Sequence, residues 1–229
     1  MGLEAFKHRV LTELLPQYCD DPSRGWGSDG FKPNWGRVSE VDAQDFLQGL
    51  DAGLVQHIGR GQYLAKRSAS KEQFFWEGQK HITPRPISLW LEPIITVAGL
   101  ARLHFEFGWP EHLIGMQSQD YAFDLAAYLS AEPSAEHIAC EVKNSVKQLD
   151  ELIKNMKKFA IDNVQSQAGM SSKEVNAFRK LVALRKRKVP IFWALGPERA
   201  SFVFYMSYSA DGAVTFSRAK EEMLSYRGG

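Results

Sequence analysis

The sequence predicts an α/β protein whose main region runs helix, three strands, helix, strand, behind a smaller helical and hairpin region. Three observations carry this. Apolar residues recur at helical spacing after Pro93, after Ser145 and after Ser171. Between the first two stretches, short runs of small, β-branched and aromatic residues alternate with turn signals, which is the pattern of strands. Charged side chains interrupt two of those strands: Asp124 within 122–129, then Glu141 and Lys143 within 137–144.

The first region, residues 1–88, opens with a helical pattern through Phe6, Val10, Leu11, Leu14 and Leu15, then a loop rich in Gly, Asp, Trp and Pro. Ser39 is placed to cap a helix running through Leu50, because its hydroxyl can accept from an orphan N–H of the first turn. Gly53 ends that helix, and residues 54–65 read as a hairpin turning at Gly59-Arg60-Gly61. Helix followed by a glycine-tipped hairpin resembles the second half of a winged-helix module.

The second region, 89–229, begins with a helix in which Pro93 suits the first turn. Its apolar side continues through Ile94, Val97, Leu100, Leu103 and Phe107. Strands are expected at about 110–117, 120–130 and 136–143, with Pro133-Ser134 breaking the last two apart into an antiparallel pair. Asn144 or Ser145 can cap a long helix ending near Gln165. Ser171 and Glu174 have capping-box spacing for another that ends near Lys188. Strands at 189–195 and 201–209 and a hairpin at Asp211-Gly212 complete the chain.

Composition narrows the function classes. With 44% hydrophobic and 24% charged residues, the chain is an ordinary globular protein. A net charge of +1 argues against nucleic-acid binding by bulk charge, though not against a local basic face. No apolar run approaches the ~20 residues needed to span a bilayer. The first residues lack the charged start and apolar stretch of a signal peptide, so a cytoplasmic location is expected. Cys19 and Cys140 are too few for a disulfide framework or a cysteine-rich zinc site.

Side chains alternate along a strand, so Glu141 and Lys143 share one face while Cys140 and Val142 point to the other. An acid on one strand, and an acid and a lysine two apart on the next, can hold Mg²⁺ beside a positioned water. With the helix, strands and helix around them, Asp124, Glu141 and Lys143 resemble the signature of the PD-(D/E)xK nuclease superfamily over roughly residues 90–196. Phe123 stands where the family frequently has proline; that proline is not a ligand. The resemblance implies a restriction-endonuclease-like αβββαβ core with a mixed central sheet, and a metal-dependent DNA endonuclease serving restriction, phage defence or DNA repair. It implies Asp124 and Glu141 as metal ligands with the Val142 carbonyl, Lys143 beside the nucleophile, and Mg²⁺ as cofactor with Mn²⁺ as substitute. Glu92 corresponds to a glutamate that many members carry in the first helix, at a separation like that of the Holliday-junction resolvase branch; Glu106 is its rival. Gln148 corresponds to a polar residue that contacts water or phosphate. Many such enzymes dimerise, which leaves a homodimer open.

The residues support that chemistry independently. Mg²⁺ is hard, takes oxygen ligands and usually keeps several waters beside one or two carboxylates. Nearby acids favour the protonated form of Lys143, which suits it to orient water or stabilise charge better than to act as a base. Asp120 shares the parity of Asp124 and is the alternative ligand. Arg60, Lys147, Lys154, Arg185, Lys186 and Arg187 are the candidate contacts to a DNA backbone, with Trp26, Trp35, Phe74, Phe75 and Trp76 as candidates either to stack bases or, as aromatics more often do, to pack in the core. Two rivals stay open: a non-catalytic nucleic-acid-binding or protein-interaction module of the same fold, and a hydrolase of RNA or a nucleotide.

Overall fold

The structure is a computed structural model and describes residues 2–22, 24, 27–118, 120, 122–130, 136–161 and 169–228. Trp26, the Pro133-Ser134 connection and the expected helix end at Gln165 lie outside them.

The chain begins with α1 (Gly2–Arg9), one wide π-helical turn (Val10–Leu14) and α2 (Leu15–Cys19), with Phe6, Val10 and Leu14 facing inward. Helix α3 (Glu40–Asp51) is capped as expected: the Ser39 hydroxyl accepts from the Asp42 amide at 3.1 Å. Strands β1 (Val55–His57) and β2 (Gln62–Ala65) form the anticipated hairpin. Its turn takes positive φ at Gly59, Arg60 and Gly61, a conformation that glycine adopts without penalty. A third strand, β3 (Glu72–Gln73), joins this sheet, and β4 (Phe75–Glu77) pairs with β5 (Ile87–Leu89) in a separate ribbon. The sequence pattern did not reveal these last three strands.

Helix α4 (Leu91–Ala101) carries Pro93 in its first turn and runs on into a π turn, Arg102–Glu106. Strands β6 (Ile114–Met116), β7 (Leu125–Ala127) and β8 (Ile138–Val142) follow, each shorter than expected. Then come α5 (Val146–Ile161) and α6 (Ser172–Arg187), the latter with both hydrogen bonds of the Ser171/Glu174 capping box. Strands β9 (Ile191–Leu195), β10 (Ser201–Tyr208) and β11 (Val214–Ala219) complete the architecture.

Six strands form one mixed sheet in the order β11-β10-β9-β8-β7-β6. Every neighbouring pair is antiparallel except β8 and β9. A parallel step needs a long crossover, and α5 and α6 supply it. Strand alternation divides the interior into two apolar layers. Ile138, Cys140 and Val142 point to the same side as Ile191, Trp193 and Leu195, into a core shared with α4 and with Phe6, Phe46 and Phe74. Ala139, Phe192 and Ala194 face the other way, against Leu149, Met156 and Leu181 of the crossover helices. The helices and hairpins of the first region therefore share their core with the main sheet. Helix α4 lies so close to the sheet that a Cβ on Gly99 would meet Leu195 at 2.7 Å. None of the described helices is long and apolar enough to cross a membrane.

Candidate active site

Near the end of strand β8, Glu141 points away from the α4 layer, toward α6. Its carboxylate is 2% exposed and grips two ammonium groups. One oxygen accepts from Lys143 Nζ at 2.6 Å, and the other from Lys180 Nζ. Burial alone would lift the Glu141 pKa, but Lys180 and Lys143 outweigh it and hold the group below the usual carboxylate range. Lys143 also donates to the Val142 carbonyl at 2.8 Å. Burial pulls the Lys143 pKa down, yet the carboxylates of Glu141, Asp124 and Glu92 raise it on balance, so Lys143 stays an ammonium.

Asp124 does not lie inside a strand as the sequence suggested. It occupies the bend just before β7, where strand alternation breaks: Phe123 packs into the α5–α6 layer and Leu125 into the α4 layer. The break turns its carboxylate onto β8, where Oδ2 accepts from the Val142 amide at 2.8 Å. The Asp124 amide donates to the Cys140 carbonyl at 3.0 Å, which fixes the bend in register with β8. Burial and the Glu141 charge push the Asp124 pKa up to about 7, against the pull of Lys180, Lys143 and the Val142 amide.

Glu92 comes from the first turn of α4 and reaches Lys143 at 4.0 Å. Burial raises its pKa despite Lys143. Gln148 sits in the first turn of α5, where its backbone N–H donates to the Ser145 hydroxyl at 3.3 Å, the capping expected of Ser145. Glu92, Lys143 and Gln148 line one cleft of about 230 Å³, together with Glu151, Asn155 and Asn176 of α5 and α6.

The structure separates the rival acids from this group. Asp120 is largely exposed and pairs with Arg187 at 3.3 Å. Glu106 pairs with Arg102 at 3.1 Å and lies 3.8 Å from Arg199, on the π turn that follows α4. Among the six candidate backbone contacts, Lys147, Lys154 and Lys186 are exposed on α5 and α6. Arg60 is exposed at the hairpin tip, within 3.5 Å of Asp21. Arg185 and Arg187 are turned into the fold instead. Arg185 donates to the Phe159 carbonyl at 2.9 Å, near the end of α5, and Arg187 to Glu136 at 2.7 Å.

Lys180 is the site residue that sequence reasoning missed. It is 8% exposed, donates to the Ala122 carbonyl at 2.9 Å as well as to Glu141, and lies over the Phe123 ring. A signal was present: Lys180 falls on the apolar stripe of α6 with Ala177, Phe178, Leu181 and Leu184. A lysine buried on such a stripe requires an anionic partner.

The donor types are those a hard divalent cation takes, and each is already engaged: the Glu141 oxygens by Lys143 and Lys180, Asp124 Oδ2 by the Val142 amide, and the Val142 carbonyl by Lys143. Asp124 and Glu141 offer two carboxylates and Val142 a carbonyl, an all-oxygen set of the kind Mg²⁺ takes with water completing its shell. Among the described residues no cluster of three or more His, Cys, Asp or Glu side chains forms a metal cage. Compared with protein-family models, curated proteins and solved structures, the chain gives no match.

Proposed function

We propose that this protein is a Mg²⁺-dependent deoxyribonuclease, an endonuclease that hydrolyses DNA phosphodiester bonds, with Mn²⁺ able to substitute. The observation that carries the reading is the junction of β7 and β8: the Asp124 carboxylate is hydrogen-bonded to the backbone of β8, beside a buried Glu141 paired with Lys143, and Lys143 opens onto a cleft with Glu92 and Gln148. Further support is the element order. Helix α4, the antiparallel run β6-β7-β8, two crossover helices and a parallel β9 run αβββααβ, one helix more than the αβββαβ order of the restriction-endonuclease-like core.

Asp124, Glu141 and the Val142 carbonyl would hold the cation, which would supply neutralisation of phosphoryl charge and a water more easily deprotonated. The chain's own groups do the rest. Lys143, held as an ammonium, donates a hydrogen bond to a phosphoryl oxygen or to the attacking water. Glu92, with its pKa raised, accepts a proton near neutral pH more readily than an ordinary carboxylate, and Gln148 orients water or phosphate across the cleft. Exposed Lys147, Lys154 and Lys186 attract the DNA backbone.

One observation favours a second reading, a binding module of the same fold. Both oxygens of Glu141 are already neutralised by lysines, so the cluster stands without a metal. The test is cleavage of plasmid, linear, branched and single-stranded DNA with Mg²⁺ or Mn²⁺, using wild type, Asp124→Ala and Lys143→Ala. Metal-dependent cleavage lost in both variants is the expected result. Cleavage that survives both sinks the site, and DNA binding without cleavage of any substrate favours the module.

A further inference from the structure

Lys180 reaches the candidate site from α6, across the fold from the strand motif. Its ammonium has three partners: Glu141, the Ala122 carbonyl at 2.9 Å, and the face of Phe123 with its centroid 5.5 Å away. Ala122 and Phe123 precede Asp124, and Glu141 is the acid on the neighbouring strand. One buried positive charge thus ties the approach to β7 to the end of β8: it pairs with the Glu141 carboxylate and holds the two residues that precede Asp124.

We propose that Lys180 is a built-in counter-cation: a positioning residue that holds the two acids together in the absence of metal and sets how tightly a divalent cation binds. The inference rests on reading the site as cation-dependent. A cation taken up by Glu141 must draw an oxygen away from Lys180, and it meets the repulsion of a like charge at close range in a desolvated place. Lys143 cannot fill this role alone, because it holds only the other Glu141 oxygen and reaches out toward Glu92. Removing the Lys180 charge therefore opens Glu141 and strengthens cation binding. A purely structural lysine would have the opposite signature, since its loss would loosen the acids and weaken binding.

The experiment is calorimetric titration of Mn²⁺ into chelator-stripped wild type, Lys180→Met, Lys180→Gln and Lys180→Arg, each checked for a cooperative thermal melt. Met and Gln at this position should bind Mn²⁺ on the order of tenfold more tightly than wild type, and Arg, which keeps the charge, should bind as wild type does. Without metal the Met and Gln variants should melt below wild type, and Mn²⁺ should raise their melting temperatures by more. Gln retains a donor for the Ala122 carbonyl, so it answers the question if Met fails to fold. Affinity unchanged or weakened in the neutral variants, with wild type binding Mn²⁺, overturns this inference and leaves the proposed function standing. No Mn²⁺ binding by wild type or any variant overturns both.

Discussion

Arg199 clasps Asp45 through two hydrogen bonds, Nε to one carboxylate oxygen and a terminal nitrogen to the other, each 2.8 Å. Asp45 is buried on α3, and Arg199 lies in the turn between β9 and β10. One helical turn earlier, Asp42 accepts from the Glu198 amide at 2.8 Å. Two acids of the first region thereby hold a turn of the main sheet. Breaking the clasp should be asymmetric, because Arg199 is 42% exposed and Asp45 is not. Arg199→Ala, which strands a buried carboxylate, should lower unfolding stability by about 1–3 kcal/mol. Asp45→Ala, which frees an arginine to water, should cost less. Urea denaturation of both variants measures the difference, and equal losses would contradict this account.

The two acids of the site should respond to neutralisation with opposite signs. The raised pKa of Asp124 means that the native state keeps a proton the unfolded chain has released. Stability from this group therefore falls as pH climbs from about 4 to about 7 and is level above that. In chelator, Asp124→Asn should exceed wild type in stability by about 2–4 kcal/mol at pH 8, the gap closing toward pH 4. Glu141 is held below its usual range, so it contributes stability above about pH 4.3 that is lost as pH falls. Glu141→Gln leaves the buried Lys180 and the half-buried Lys143 without their carboxylate and should cost about 3–5 kcal/mol at pH 7. Denaturation midpoints across pH decide the matter.

Basic residues on α5 and α6 should fall into two groups. Alanine at Lys147, Lys154 or Lys186 should leave stability within about 0.5 kcal/mol. Each such change should weaken DNA binding and reduce the slope of log affinity against log salt by about 1. Arg187→Ala should instead destabilise the fold, because Glu136 is 2% exposed and takes its charge partner from Arg187. Fluorescence anisotropy at several salt concentrations, beside thermal melts, separates the groups.

Gly99→Ala should destabilise the protein by about 1–3 kcal/mol through overpacking, since the added methyl meets Leu195 and Leu125. The same helix carries Glu92, so displacing it should also widen the separation of Glu92 from Lys143. The check is a melt combined with cleavage kinetics, both of which should fall.

Much of this architecture was legible because it depends on local chemistry. The Ser39 cap, the Ser171/Glu174 box, the glycine-tipped hairpin and the antiparallel β7–β8 pair follow from residue types at fixed spacings. The shared faces of Glu141 and Lys143 follow from strand alternation. The bend at Asp124 did not, because it interrupts that alternation and is held by a hydrogen bond to a strand eighteen positions later. Lys180 was missed for a similar reason: its partner lies thirty-nine positions away, on a different element. Strands β3, β4 and β5 are too short for a period to declare itself.

The Val142 amide has a use of its own. It donates to a side chain rather than to a ladder carbonyl, so its environment follows the state of Asp124 and not only the sheet around it. Protonation of that carboxylate, capture by a cation or replacement by asparagine each alters what this one N–H sees. In a nitrogen-proton correlation spectrum, its resonance is an internal gauge of the candidate site, readable with no DNA in the tube and no turnover to measure.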